Sequence, residues 1–322
     1  MTNGLLLMDK PDGMSSARLV SCIKKLSGAK KAGHAGTLDP FATGLMICCL
    51  NRATKISGFF LHGGKSYEAV LCLGIETDTQ DCTGKITAQS DRTEFSAEHL
   101  ESVFRSFSGT ILQTPPMYSA LKHQGVPLYR LARKGQTVEK PPREVHISEI
   151  RILDICLPEI RFRVSCSGGT YIRTLAADIG RILGCGAHLK SLRRTACGDF
   201  SIEKALTLPE AEELSLSGRI QERIISMNDA LPRMPFYTAD AMLEQRIMHG
   251  KPLYHKDIPF PESGSSEGHL KVLDTRGTLL AVLNWKKEEY RYNYSCVFIH
   301  KMDNKEFSGR GTGEPERGGP ET

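Results

Sequence analysis

Asp39 lies between three glycines and directly before a proline, in the stretch GHAGTLDPFATG from Gly33 to Gly44. A carboxylate so placed could serve as a nucleophile or a general base. Gly33 and Gly36 permit positive φ and close approach by another molecule, while Pro40 forces Asp39 into an extended backbone geometry that gives the carboxylate a fixed direction. A plainer reading competes. Asp before Pro is a common helix start, with the aspartate as N-cap and the proline at the first helical position, and local chemistry alone favours that cap.

Two other groups could work with such a carboxylate. Arg173 falls in the first turn of an expected helix, where a cation gains nothing from the dipole, so its position calls for an anionic partner; an exposed surface arginine is the plainer account. Residues 113–143 carry Lys122, Arg130, Arg133, Lys134, Lys140 and Arg143 among five prolines, with Tyr118 and Tyr129 interleaved and Glu139 the only acid. A solvated, charged excursion would look like this. Tyrosine beside basic groups is also what stacking on bases and neutralising phosphates requires.

The elements that must position these groups are legible in outline. Residues 4–10 form an expected strand that leads to the Pro11-Asp12-Gly13 turn. Ser15 and Ser16 can then cap a helix carrying Leu19, Val20, Ile23 and Leu26 at helical spacing. Leu45 to Leu50 is a continuous apolar run, the pattern of a strand buried on both faces. Tyr67 to Leu73 is a further strand ending at Gly74, and the polar residues 76–84 read as a loop. Ile160, Phe162, Val164 and Cys166 alternate with polar residues as in a half-buried strand. After Ser167-Gly168-Gly169, Thr170 can cap a helix bearing Ile172, Leu175, Ile179 and Ile182 on one face. Pro209 marks an expected edge. Beyond it, the valine and leucine content of residues 271–285 around Arg276-Gly277 suggests a small β-rich module. Residues 261–268 read as a mobile loop and residues 303–322 as a tail too poor in apolar side chains to fold.

Composition narrows the function classes. A chain of 322 residues predicts one large domain plus a smaller one. The net charge of +5 argues against a histone-like binder and leaves room for a local basic face. The apolar run Leu5 to Met8 is too short for a signal peptide or a membrane span, and no later segment is long enough for a span. Ten cysteines without a CxxC pair fit small apolar residues in a reducing cytoplasm better than a zinc site or a disulfide framework. No phosphate-binding loop, dinucleotide fingerprint or metal-ligand cluster is apparent, which predicts chemistry without a cofactor or metal.

Four segments in order, 33–46, 65–84, 113–135 and 166–200, resemble the pseudouridine synthases of the TruB type, which isomerise uridine 55 in the T-loop of tRNA. The resemblance spans roughly residues 4–205. It implies an α+β fold whose mixed, mainly antiparallel central sheet is flanked by helices. A catalytic domain over residues 1–229 would carry an RNA-binding insertion at about 116–143, with a weaker likeness to a PUA domain over 230–302. It further implies that Asp39 is the essential aspartate, Tyr67 the aromatic residue that packs on the target base and Arg173 the partner of Asp39. His34 would sit by the flipped-out nucleotide and Leu192 would line the pocket. The insertion, with Lys122, Tyr129, Arg130, Arg133 and Lys134, would meet the tRNA elbow. Asp78 and Asp81 fall in a family-like loop and receive supporting roles only. Taken without the resemblance, Tyr67 reads as a sheet aromatic, His34 as a loop histidine and Leu192 as core.

The expected reaction is therefore redox-neutral uridine isomerisation on tRNA by a cytoplasmic monomer. Two readings compete with it: a tRNA-binding folding factor, and a guide-RNA-dependent relative that shares the catalytic loop. A basic ribosome-assembly protein is a blander third.

Overall fold

The computed structural model describes residues 2–119, 121–132, 134–136, 138, 140–258 and 268–298, without the Lys122 side chain. Arg133, the expected tail and the expected loop at 261–268, apart from Gly268, lie outside the described residues. The chain divides into two compact units, Met1–Pro232 and Arg233–Thr322.

The first unit opens with β1 (Gly4–Lys10) and α1 (Ser16–Leu26), whose N-cap is the expected Ser15, accepting from the Arg18 amide. Next come β2 (Ala32–His34), β3 (Thr43–Leu50), the short α2 (Ser57–Leu61) and β4 (Lys65–Leu73). Residues 76–84 are not wholly a loop, because β5 (Ile75–Thr77) pairs with β6 (Ile86–Gln89) and only the residues between them turn. Then follow α3 (Ala97–Arg105), β7 (Gly109–Gln113), the small hairpin β8 (Lys122–His123) and β9 (Val126–Pro127), and α4 (Leu128–Ala132). The unit continues with β10 (Arg143–Cys156), β11 (Glu159–Cys166), α5 (Ile172–Leu183), β12 (Ala187–Cys197), β13 (Phe200–Ser201) and α6 (Leu208–Leu216).

The large sheet runs in the order β1-β3-β12-β4-β11-β10-β7, with β2 added on β3 and β13 on β12. Its pairings are antiparallel except for β12 on β3. The fold is thus α+β with a mixed, mainly antiparallel sheet. On β4 and β11 the alternation is strict: Tyr67, Ala69, Leu71 and Leu73 point with Ile160, Phe162 and Val164 into a core closed by Leu100 and Phe104 of α3 and by Leu175 and Ile179 of α5. Burying each such large side chain contributes roughly 1.5–3 kcal/mol. The other core lies between α1, β1, β3 and α6, where β3 is buried along nearly its whole length.

The expectation for α5 needs correction. Thr170 does not cap α5; its hydroxyl bonds the Ser167 carbonyl, and the N-cap position is Tyr171, held instead by the Gln113 side-chain amide. Ile182 is exposed, and Ala176 and Leu183 are buried in α5. Pro209 does mark an edge, the start of a helix. It stands in the first turn of α6, behind the reciprocal capping box of Thr207 and Glu210.

The second unit contains β14 (Phe236–Thr238), α7 (Ala241–Met248), β15 (Leu253–Tyr254), β16 (His269–Leu273), β17 (Leu279–Lys286) and β18 (Arg291–Val297). The strands form one sheet in the order β14-β16-β17-β18-β15. Leu243 and Ile247 of α7 pack with Leu270, Val272, Ala281, Leu283 and Tyr292. This is the β-rich module expected around Arg276-Gly277. Among the described residues, no helix is long and apolar enough to cross a membrane.

Candidate active site

The Asp39 stretch is a turn, not a helix start. The Ala42 amide donates to the Asp39 carbonyl at 3.1 Å, so Pro40 sits at the second position of a four-residue turn, where its fixed φ is suited. Leu38 and Ala42 are buried in the large core on either side, which leaves Asp39 between two anchors. Two side chains from before the loop hold its backbone. Ser16, buried at the start of α1, exchanges bonds with the Leu38 carbonyl (2.8 Å) and amide (2.9 Å). The Lys10 ammonium, at the end of β1, donates to the carbonyls of Pro11, Met14 and Pro40 at 2.8, 2.6 and 3.0 Å.

At Gly44 the clearance is taken up by the chain itself. Gly44 has φ +103°, and a Cβ there would lie 2.3 Å from the Arg194 carbonyl oxygen. Gly36, at φ +116°, faces the Arg194 guanidinium. Arg194 is fully buried, donating from Nε to the Leu45 carbonyl (2.7 Å) and from Nη2 to the Gly36 carbonyl (3.1 Å). It thereby stitches β12 to both ends of the aspartate loop.

Arg173 finds the anionic partner its position calls for. Its Nε lies 2.9 Å from Asp39 Oδ2 and its Nη1 3.4 Å from Asp81 Oδ2. Nη1 and Nη2 also donate to the carbonyls of Thr79 and Tyr118, both at 2.7 Å. The arginine is 3% exposed, as a buried cation can be only when paired and bonded. Asp81 is nearly as buried and accepts from Thr79 Oγ1, the Thr83 amide and Thr83 Oγ1. The Asp39 side chain, by contrast, is 35% exposed. Burial, with the charge of Asp81 adding to it, pushes the Asp39 carboxyl above its ordinary value despite the opposing pull of Arg173.

The carboxylate opens into a cavity of about 600 Å³ lined by Asp39, Tyr67, Arg173, Leu192 and Arg194, and by Lys65 and Arg143. Tyr67 lies opposite Arg194 in the β4-β12 register, and Leu192 lies opposite Ala69. Burial pushes the Tyr67 phenol up to about 12, with Arg194 pulling the other way, so the side chain is neutral. The cavity therefore offers an aromatic face, an aliphatic wall and one carboxylate, a set suited to a planar uncharged base. Among the described residues, no group of His, Cys, Asp and Glu side chains is placed to hold a metal ion.

Of the residues singled out in sequence, Asp39, Tyr67, Arg173 and Leu192 meet at this cavity. His34 does not line it; it sits on β2 opposite Cys48, its Nδ1 buried without a hydrogen-bond partner. Tyr129 is half-buried on α4 with the exposed Arg130 at its hydroxyl, and Lys134 is exposed just after that helix. The excursion is more than a charged surface, since Ser119 and Leu121 form part of the cavity wall and the Tyr118 carbonyl binds Arg173. Lys10, Lys65 and Arg194 were missed in sequence. Only Lys10 carried a local hint, being a lone cation at the end of an apolar strand.

Lys10 is expected to make the site sensitive to alkali. Burial lowers its ammonium to about 8, and above that pH a neutral amine has two N–H groups for three carbonyls. The sign for stability is opposite. A lysine with a lowered folded value binds fewer protons than the unfolded chain between about 8 and 10.5, so the fold gains from this group as pH rises there. Turnover should thus fall through about pH 8 while Lys10 causes no parallel fall in Tm. Rate profiles and melting curves over that range check this, and a limb displaced by two pH units would contradict it.

Two family models match in succession: the TruB family pseudouridylate synthase N-terminal domain over residues 24–172, and the tRNA pseudouridylate synthase B C-terminal domain over residues 173–231. The chain is 46% identical over 273 residues to tRNA pseudouridine synthase B of Francisella philomiragia subsp. philomiragia, covering 84% of this chain and 88% of that one. It is 42% identical over 281 residues to tRNA pseudouridine synthase B of Geotalea uraniireducens, covering 87% and 91%. Among solved structures, a chain of a Cbf5-Nop10-Gar1 complex is similar with a TM-score of 0.71 at 26% identity, covering 92% of this chain and 85% of that one. A chain of an H/ACA RNP bound to a substrate RNA containing 2'-deoxyuridine reaches a TM-score of 0.69 at 25% identity, covering the same shares. With these matches running through the aspartate loop, the strands beneath it and the helix that carries Arg173, the chain belongs to the TruB family of pseudouridylate synthases.

Proposed function

We propose that this enzyme isomerises uridine 55 in the T-loop of tRNA, with Asp39 as the essential catalytic carboxylate. The observation that carries the reading is the half-open Asp39 at 2.9 Å from a buried arginine, in a cavity walled by Tyr67 and Leu192. In the reaction the N1–C1′ bond breaks, the uracil turns and a C5–C1′ bond forms; C5 loses a proton and N1 takes one up. No atom or electron is gained. Asp39 could attack the ring, attack the sugar or remove a sugar proton. Arg173 serves each route by opposing the burial that would protonate the carboxylate.

A uridine inside an RNA loop must leave its stack to reach the cavity, at a cost of a few kcal/mol. Packing against Tyr67 offsets roughly 1–3 kcal/mol of that cost. His34, on the strand entering the aspartate loop, supports the displaced nucleotide from outside the cavity. The second unit and the excursion at 116–143 bind the rest of the tRNA, and the enzyme acts as a monomer. A stand-alone tRNA enzyme is preferred to a guide-dependent one because the tRNA synthases are 42–46% identical to this chain, against 25–26% for the complexes.

The test is chemical mapping of pseudouridine in a T-arm stem-loop after incubation with the wild-type enzyme. Modification of the one T-loop uridine is expected; an unmodified or indiscriminately modified RNA overturns the reading. Binding without isomerisation would favour a folding factor. For the excursion, neutralising Arg130, Arg133 and Lys134 together should weaken binding and reduce the salt slope by roughly 0.7–0.9 per phosphate contact removed. An unchanged slope would show that the RNA does not use this patch.

A further inference from the structure

We propose that Arg143 binds a backbone phosphate flanking the target uridine and so sets how deeply the extruded nucleotide enters the cavity, an inference that rests on the T-loop reading above. Among the described residues, four arginine and lysine side chains line the cavity, and three are engaged. Arg173 serves two carboxylates and two carbonyls, Arg194 serves two carbonyls, and Lys65 donates to the carbonyls of Leu61 and Gly63. Arg143 differs. Among the described residues, its Nη2 donates to the Gly169 carbonyl, its Nε is buried with no hydrogen-bond partner, and its Nη1 has no partner and is not one of the buried unpartnered atoms.

The guanidinium is nevertheless held in place. It stacks over the Tyr171 ring at 5.0 Å, and the Tyr171 backbone is itself clamped by the buried Gln113 amide. Gly168 and Gly169 let the neighbouring loop come this close: a Cβ on Gly168 would lie 2.6 Å from the Leu61 carbonyl oxygen, and Gly169 has φ +93° with Arg143 beside it. A fixed guanidinium whose Nη1 is unmet at a cavity wall is a site for an oxyanion, since planar guanidinium suits phosphate oxygens. Among the described residues, the one carboxylate lining the cavity, Asp39, is already paired with Arg173, so an entering phosphate meets that charge offset. Extruding a nucleotide brings its two flanking phosphates toward the cavity with it.

The test combines Arg143→Met and Arg143→Lys with T-arm stem-loops carrying one neutral methylphosphonate, 5′ or 3′ of the target uridine. Arg143→Met should lower kcat/KM on unmodified RNA by about ten- to a hundred-fold, the scale of a charge-assisted hydrogen bond, with Tm changed little. Arg143→Lys should recover part of this loss. At one of the two linkages the methylphosphonate should cost the wild type a similar factor and cost Arg143→Met nothing more, because both changes remove the same contact. Losses that multiply at both linkages overturn the inference alone. A wild-type enzyme inert on the unmodified stem-loop overturns the T-loop reading, and this inference with it.

Discussion

Asp39→Asn is expected to abolish pseudouridine formation, lowering kcat by roughly four orders of magnitude or more, the scale of losing an essential nucleophile or base. The change keeps the side chain's volume and removes its charge. The fold should not suffer. An aspartate whose folded value is raised costs stability when it ionises, so at neutral pH the amide removes that cost while it forfeits the 2.9 Å ion pair. Arg173 keeps Asp81 and two carbonyls in the variant. Tm should therefore stay within about 3 °C of wild type, and tRNA affinity should be largely kept. The raised carboxyl also moves the acid limb of the wild-type rate profile to higher pH than an ordinary aspartate would give. Retained turnover in Asp39→Asn, or a collapsed fold, would remove Asp39 from the role given to it.

Arg173→Met carries the largest expected cost in stability. It leaves Asp81, 5% exposed, without its cation and takes the donors from the Thr79 and Tyr118 carbonyls. Breaking a buried pair from one side costs about 3–5 kcal/mol, so Tm should fall by roughly 10 °C or more. Turnover should be lost as well, since Asp39 then loses the main pull against its burial. Adding Asp81→Asn separates the two effects. The double variant no longer buries a lone charge and should recover much of the lost Tm without recovering activity. If the double variant melts no higher than Arg173→Met, Asp81 is not what the arginine stabilises; if it regains turnover, Arg173 is not needed beside Asp39.

Much of the fold was legible because apolar periodicity reports local burial. The alternation of β11, the continuous apolar run of β3 and the Ser15 cap of α1 all follow from side chains that act on their own segment. The aspartate loop announced itself through Gly36 and Pro40, although its backbone proved to be a turn instead of a cap. What was not legible depends on partners distant in sequence. Arg194 reads as one of two adjacent surface arginines, yet it is buried against a carbonyl 149 residues away. Lys10 and Lys65 are exceptions with mostly near partners: they hide because they donate to carbonyls, which leave no mark on residue type. Asp81 looked like one acid in a polar loop until the fold set it against Arg173. Gly44 gave no sign of its neighbour, the Arg194 backbone, which arrives on a strand that periodicity did not reveal.

That strand, β12, delivers Leu192 and Arg194 to the cavity and, between them, turns Arg193 the other way to a two-bond contact with Asp9. Its register with β4 is regular over these three residues and shifts on either side, between Leu189 and Ser191 and between Arg194 and Ala196. The three positions therefore have a reading frame. Single substitutions there change one face at a time, but inserting or deleting one residue would exchange the faces, driving the wrong arginine toward Tyr67 and stranding Asp9. Length variation among functional variants of this enzyme should stop at the two shifts and never fall between them.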